Sequence, residues 1–253
     1  GIGNINGGKG EGFQGGGVMN INFSDYHGTQ AAGTMNVNIG TYKGVQLAGL
    51  LNVNIGHLDG VQVSTLLNIA GNVKGSQIGL VNLCDSIQGV PIGLLSFVAN
   101  GYHKFEISTD DLYPVGVSLR SGVPEFYNIV TAGFDPVTLN DSVFWTFGYG
   151  IGSAPKLARN LYLNFDLTCN AVVKANVSDD LNLLNRFTLG LEWQIARGFG
   201  ITAGATLNGY LRESDADPVV FRNQSPEMIY SHTFSNDLLL DSWLGWRFGI
   251  RFF

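Results

Sequence analysis

Apolar and polar side chains alternate with a period of two through the second half of the chain. Val143, Trp145, Phe147, Tyr149 and Ile151 alternate with Phe144, Thr146, Gly148, Gly150 and Gly152. Leu161, Leu163, Phe165, Leu167, Cys169 and Ala171 alternate with Tyr162, Asn164, Asp166, Thr168 and Asn170. The pattern recurs from Phe187 to Ile195 and from Ile201 to Asn208. A period of two belongs to a strand whose two faces meet different surroundings. The polar face here is rich in Gly, Thr and Asn and poor in charge, whereas the outer face of a soluble sandwich carries Lys, Glu and Arg in quantity. Small polar side chains suit the crowded interior of a closed barrel, and the apolar face then meets lipid. A strand of about 10 residues, tilted near 40°, covers roughly 25 Å, the height of a lipid-facing band.

The first hundred residues repeat. FQGGGVMNIN, TQAAGTMNVN, VQLAGLLNVN and VQVSTLLNIA are followed by the shorter SQIGLVNL and VPIGLLSF. Gln14, Gln30, Gln46 and Gln62 are 16 residues apart, and Asn20, Asn36, Asn52 and Asn68 keep the same spacing. Gln77 then follows after 15 residues and Asn82 after 14, while glycine marks each junction at Gly12, Gly28, Gly44, Gly60, Gly75 and Gly89. Two architectures produce such a period. In a β-solenoid each repeat is one coil, with equivalent Asn and Gln stacked in ladders; in a meander each repeat is a strand and a turn, with antiparallel neighbours. The repeat alone does not decide, but alternation favours the meander: Val45, Leu47, Leu51 and Val53 share one face, Gln46, Asn52 and Asn54 the other. The odd separation of Gln77 and Asn82 calls for a bulge or favours the solenoid.

Counted as a meander, the chain offers about fourteen strands, an even number, as expected when both termini of an outer-membrane barrel are periplasmic. The expected fold is therefore all-β: a transmembrane antiparallel β-barrel, one domain over residues 1–253. Within it, 1–12 form a Gly-rich lead (a flexible segment, a lumen plug or a damaged first repeat), 13–101 the repeat strands and 102–253 the non-repeat strands. The segment 212–241 is its longest external loop.

Composition narrows the classes. Only 13% of residues are charged, about half the usual share in a soluble protein. No stretch approaches the roughly 18 to 20 apolar residues of a membrane helix, so any span is β. The net charge of −6 and the lack of a basic run argue against nucleic acid as a partner. Cys84 and Cys169 are far apart and read as small apolar fillers. The opening at Gly1 without Met suggests a processed or trimmed terminus.

The GxQxGLxN units, followed by NGYHKFEIS and FYNIVTAGF, resemble the surface-repeat family of bacterial envelope proteins, which ends in a barrel-like half. The resemblance covers most of the chain. It implies an outer-membrane location and supplies no catalytic or ligand residues. The terminal WLGWRFGIRFF resembles the C-terminal signal by which outer-membrane barrels are recognised for assembly, with Phe253 as its last aromatic. Leu244, Trp246, Phe248, Ile250 and Phe252 fall one position out of phase with it.

Asp166, Glu192, Arg247 and Arg251 all fall on the lumen side of the second-half strands. Such charges either form a constriction that selects solutes or a salt-bridge network that locks the barrel, and the network is the better reading. His27, His57, His103 and His232 lack metal-ligand spacing, so no metal or other cofactor is expected. The acidic pairs Asp110–Asp111, Asp179–Asp180 and Asp215 with Asp217 read as solvated loop charge rather than calcium ligands. No GxSxG or HExxH motif is present, and no enzyme is expected. Trp145, Trp193, Trp243 and Trp246 read as girdle or lipid-facing residues. The expected function is that of an integral protein of the bacterial outer membrane, partnered by outer-membrane lipid and by other proteins of an envelope complex, as a structural or accessory subunit or a narrow channel. The alternative is a surface β-solenoid, an adhesin or binding module, anchored by a smaller C-terminal barrel.

Overall fold

A computed structural model describes residues 1–135, 145–173, 181–213, 228–234 and 237–253. They are all-β, with no helix among the described residues. They divide into two compact units, residues 1–102 with 121–127 and residues 103–120 with 128–253.

The first unit is a parallel β-solenoid. In each full coil a short strand (Met19–Asn22, Met35–Asn38 and Leu51–Asn54 in successive coils) turns a corner into a longer one (Tyr26–Ala32, Tyr42–Ala48 and Leu58–Ser64). Each strand pairs in parallel with its equivalent in the next coil, Asn20 on Asn36 on Asn52 and Gln30 on Gln46 on Gln62. Gly3–Asn6, within the Gly-rich lead, and Gly10–Gly16, which begins in it and runs into the first repeat, form the first coil in the same register. The expected meander of about fourteen antiparallel strands is therefore corrected. Alternation did not discriminate because a solenoid strand also has a period of two. The shortened repeats are equally accounted for: Leu58 pairs with Val73 and Leu67 with Val81, so the offset falls from 16 to 15 and then 14 as each corner loses a residue.

The solenoid interior is built from amides. Asn20 Nδ2 donates to Asn36 Oδ1 at 2.8 Å, Asn36 to Asn52 at 2.9 Å, Asn52 to Asn68 at 3.0 Å and Asn68 to Asn82 at 3.0 Å. The same nitrogens reach across the coil to backbone carbonyls, Asn36 to Leu47 at 2.7 Å and Asn52 to Val63 at 2.8 Å. A glutamine ladder runs with opposite polarity: Gln46 Nε2 donates back to Gln30 at 2.9 Å, Gln62 to Gln46 at 2.8 Å and Gln77 to Gln62 at 2.9 Å. These amides are fully buried, and only hydrogen bonding of both donors and acceptors makes such burial tolerable. Towards the last coils the interior becomes aliphatic, through Ala70, Val73, Cys84 and Val98. The junction glycines have positive φ. At Gly60, with φ 149°, a Cβ would stand 1.8 Å from the carbonyl oxygen of Gly44, so the column admits no side chain.

Cys84 lies in this aliphatic part, where burial, and then the neighbouring Asp85 carboxylate, push its thiol up to about 11. We expect it to resist maleimide at pH 7.5 in the folded protein and to react after denaturation, as read by intact mass. Labelling of Cys84 in the folded chain would place it outside the core.

The second unit is a closed antiparallel barrel. Its eight strands are drawn from Tyr102–Asp110, Val115–Val123, Phe126–Phe134, Trp145–Ser153, Leu161–Val173, Asn182–Ala196, Phe199–Glu213 and Leu238–Phe252, adjacent in that order, of which Tyr102, residues 121–123 and residues 126–127 group with the first unit. The last strand closes on the first, with Phe105 opposite Phe252 and Asp110 opposite Arg247. Every side chain that the alternation assigns to the apolar face from Phe187 to Ile195 points outward, with Leu189, Leu191 and Trp193 each close to half exposed. Trp243 is a correction to the girdle reading. It shares the parity of Asp241 and Arg247, so it faces inward and is buried in a cluster with Leu112, Tyr113, Leu184 and Tyr210.

Candidate functional site

The chemistry of the chain is concentrated in the barrel lumen, where strand parity aims the polar residues of all eight strands at one axis. Glu106 and Arg251 are direct cross-strand partners, as are Asp110 and Arg247, so the closing pair of strands brings opposite charges face to face. Glu106 is wholly buried; its carboxylate accepts from Arg251 Nε at 2.5 Å and from Arg247 Nε at 2.9 Å, and it is ion-paired with Arg247 Nη2 at 2.7 Å and with Arg120 Nη1 at 2.9 Å. Arg251 reaches on through Nη1 to Glu192 at 2.5 Å and to the Asn164 carbonyl oxygen at 3.0 Å. Arg120 Nη2 donates to Asp166 at 2.8 Å, and Lys104 donates to Glu192. Arg247 also donates to Ser118 Oγ at 2.8 Å.

The four residues singled out from the sequence therefore meet in one network. Asp166, Glu192, Arg247 and Arg251 are connected, but the group joining them is Glu106. Glu106, Lys104 and Arg120 are not among the residues expected from the sequence, although it carries a signal for them. Lys104, Glu106 and Ser108 alternate with Phe105 and Ile107, and Ser118 and Arg120 alternate with Val117 and Leu119. Those strands are short, and their alternation spans too few residues to stand out.

A second network lies around Arg186. Its Nη1 donates to Asp110 at 2.7 Å and its Nε to the Asn208 carbonyl oxygen at 3.0 Å, while Nη2 stands 3.7 Å from Asp111. Asp110 also accepts from the backbone N–H groups of Leu112 and Tyr113 at 2.9 and 2.8 Å. Asp111 accepts from Trp243 Nε1 at 3.0 Å and from the backbone N–H of Trp246 at 3.3 Å. The expectation of solvated loop charge at Asp110 and Asp111 is corrected: both are buried, because the Asp111–Pro114 turn folds inward. Gly245 provides the room, since a Cβ there would stand 2.3 Å from the Asp111 carboxylate. Asp179, Asp180, Asp215 and Asp217 lie outside the described residues.

Together the two networks set Glu106, Asp110, Asp111, Asp166 and Glu192 against Lys104, Arg120, Arg186, Arg247 and Arg251, which balance in charge. Between them, Ser108, Thr146, Arg186 and Arg247 line a cavity of about 10 Å³, room for about one water. Among the described residues no cluster of three His, Cys, Asp or Glu is placed to hold a metal ion. Such an arrangement can lock strands together and exclude solvent. It presents no nucleophile beside a base.

No family model, curated protein or solved structure matches the chain. The geometry of the two units therefore carries the functional reading. Phe253, the expected assembly signal, donates its backbone N–H to the Gly198 carbonyl at 3.2 Å. Its ring lies 4.2 Å from Lys104 Nζ, covering this end of the ion network, while Phe252 faces outward.

Proposed function

We propose that this protein is an integral component of a bacterial outer membrane, in which the eight-stranded barrel spans the bilayer and the repeat half forms a solenoid carried by that anchor. The observation that carries the reading is the inversion of the barrel. Its outward residues, among them Leu119, Phe147, Leu167, Leu191 and Trp193, are apolar and between 47 and 57% exposed, while Glu106 and Glu192 inside are fully buried. In water this would expose apolar surface around the whole circumference, far beyond the few hundred Å² that a soluble monomer tolerates. In lipid both sides are satisfied, and closure leaves no strand edge unpaired.

The role within the membrane is structural or accessory. Charge-balanced networks across the lumen and a cavity of about one water leave no path for a solute among the described residues. The parallel amide-laddered solenoid favours the second reading, in which the repeats are a binding or adhesion module and the barrel their anchor. Both readings place the chain with other envelope components, and they share the same first test.

Purified protein refolded into outer-membrane lipid is expected to migrate faster on a gel before heating than after, and to give no stable conductance steps in a planar bilayer. Discrete steps would overturn the closed lumen, and failure to partition into vesicles would overturn the membrane reading. Leu189→Arg places a charge on the outward face near the middle of its strand and is expected to cost about 2 to 4 kcal/mol of stability in vesicles. A change below about 0.5 kcal/mol, read by urea titration, would mean that this face meets water.

A further inference from the structure

The outer surface of the solenoid is as unusual as its interior. On the short-strand face the outward side chains are apolar in every coil, for example Met19 and Ile21, Leu51 and Val53, Leu95 and Phe97. The corner that follows the long strands carries a ridge of Leu50, Leu66, Leu80 and Leu94, each between 44 and 49% exposed. Beyond it the outward positions of the long strands are Val45 and Leu47 in one coil and Val61 and Val63 in the next.

Charge is confined to the remaining edge. Every Asp, Glu and Lys between Gly1 and Gly101 sits at the corner leading into the long strands or just beyond it, from Lys9 and Glu11 through Asp25, Lys43 and Asp59 to Lys74 and Asp85. The edge runs the full length of the stack, with Lys9 3.6 Å from Asp25 in the next coil. In cross-section the coil is therefore amphipathic in the way an interfacial helix is: one charged edge, the rest uncharged and mostly apolar, with Thr29 and Ser76 beside Val45 and Val61 in the long-strand column.

From this distribution we infer that the solenoid is itself a lipid-binding element, lying in one leaflet with its axis parallel to the bilayer and its charged edge at the headgroups. The occupant of the apolar faces is lipid acyl chain. Three features select it. The faces carry no charge with which a polar partner surface would pair. They match the barrel exterior in composition, Leu, Val, Ile and Phe at outward strand positions. The polar groups that a bilayer penalises are taken up by the interior ladders and by the parallel pairing of successive coils. A charged edge along the entire stack also fixes the orientation, because an axis along the membrane normal would carry that edge through the hydrocarbon.

The inference rests on the membrane reading of the barrel, and the test separates the two. In full-length protein with Cys84→Ala and Cys169→Ala, single nitroxide-labelled cysteines are placed at Leu50, Leu66 and Leu95 on the apolar side and at Lys43 and Asp59 on the charged edge. A label at Leu189 reports on the barrel, and each variant is accepted only if it retains the heat-modifiable band. Relaxation by oxygen and by a water-soluble nickel chelate is measured in vesicles of phosphatidylethanolamine and phosphatidylglycerol. The expected result is a several-fold preference for oxygen at Leu50, Leu66 and Leu95, and for the nickel chelate at Lys43 and Asp59. Nickel preference at all five solenoid sites with oxygen preference at Leu189 would overturn the inference and leave the barrel in the membrane. Nickel preference at Leu189 as well would overturn the membrane reading itself. Shielding of the leucine sites from both reagents, with dipolar broadening between labels, would mean that a second copy covers the faces and would equally overturn the inference.

Discussion

Replacing Glu106 with leucine is expected to cost about 3 to 5 kcal/mol of barrel stability, because it leaves three guanidinium groups buried around a vanished countercharge. Arg120, Arg247 and Arg251 all converge on this carboxylate, Arg120 and Arg251 at Oε2 and Arg247 at Oε1. The loss appears as a lower urea midpoint in vesicles and as loss of the fast-migrating band at a lower temperature. A control sharpens the cause: Glu106→Leu combined with Arg247→Met removes one orphaned cation and is expected to recover part of the loss, since paired removal costs less than removal of one partner. A Glu106→Leu variant within about 1 kcal/mol of the parent would show that the network contributes little to holding the barrel closed.

Asn52→Leu is expected to be comparably damaging in the solenoid. The amide of Asn52 donates to Asn68 at 3.0 Å and to the Val63 carbonyl at 2.8 Å, and accepts from Asn36 at 2.9 Å. Leucine fills most of the volume but strands three buried polar groups, each at about 1 to 3 kcal/mol, for a total of about 3 to 9 kcal/mol. Because each coil touches only its neighbours, the damage is local in origin and spreads along the stack. Hydrogen exchange read by mass spectrometry is expected to show lost protection in the coils from Asn36 to Asn68, with the barrel strands unchanged. Uniform protection in both units would mean that the ladder is dispensable.

The barrel was the more legible half. The alternation from Leu161 to Ala171, from Phe187 to Ile195 and from Ile201 to Asn208 falls inside the strands Leu161–Val173, Asn182–Ala196 and Phe199–Glu213. Their inward and outward residues followed from parity alone, because one face meets charge and the other does not. The solenoid was misassigned because parity there is the same in both architectures: Leu51 and Val53 point out and Asn52 points in whether neighbouring strands run parallel or antiparallel. The deciding signal was the identity of the residues at the repeat spacing. Only parallel stacking in register puts each asparagine directly beside the next, so that one amide serves the next all along the column. The junction glycines pointed the same way, since a column in which a Cβ at Gly60 would meet the Gly44 carbonyl requires equivalent residues to be stacked. What the sequence concealed in the lumen was the inward fold of Asp110 and Asp111, which depends on a turn and on a distant glycine, Gly245, rather than on any periodic pattern.

The opposed polarity of the two amide ladders bears on how the solenoid can change in length. A coil from Met35 to Ala48 presents an asparagine donor to one neighbour and a glutamine donor to the other, and in return accepts from Asn20 at Asn36 Oδ1 and from Gln62 at Gln46 Oε1. Such a coil is a modular unit whose two faces mate with copies of themselves, so copy number can vary among the inner coils without disturbing those that remain. The far end is different: Ser96 takes the place of asparagine and Pro91 that of glutamine, and Pro91 has no amide with which to extend the ladder. The stack carries its own stop signal, and its extent is set by where these two residues fall.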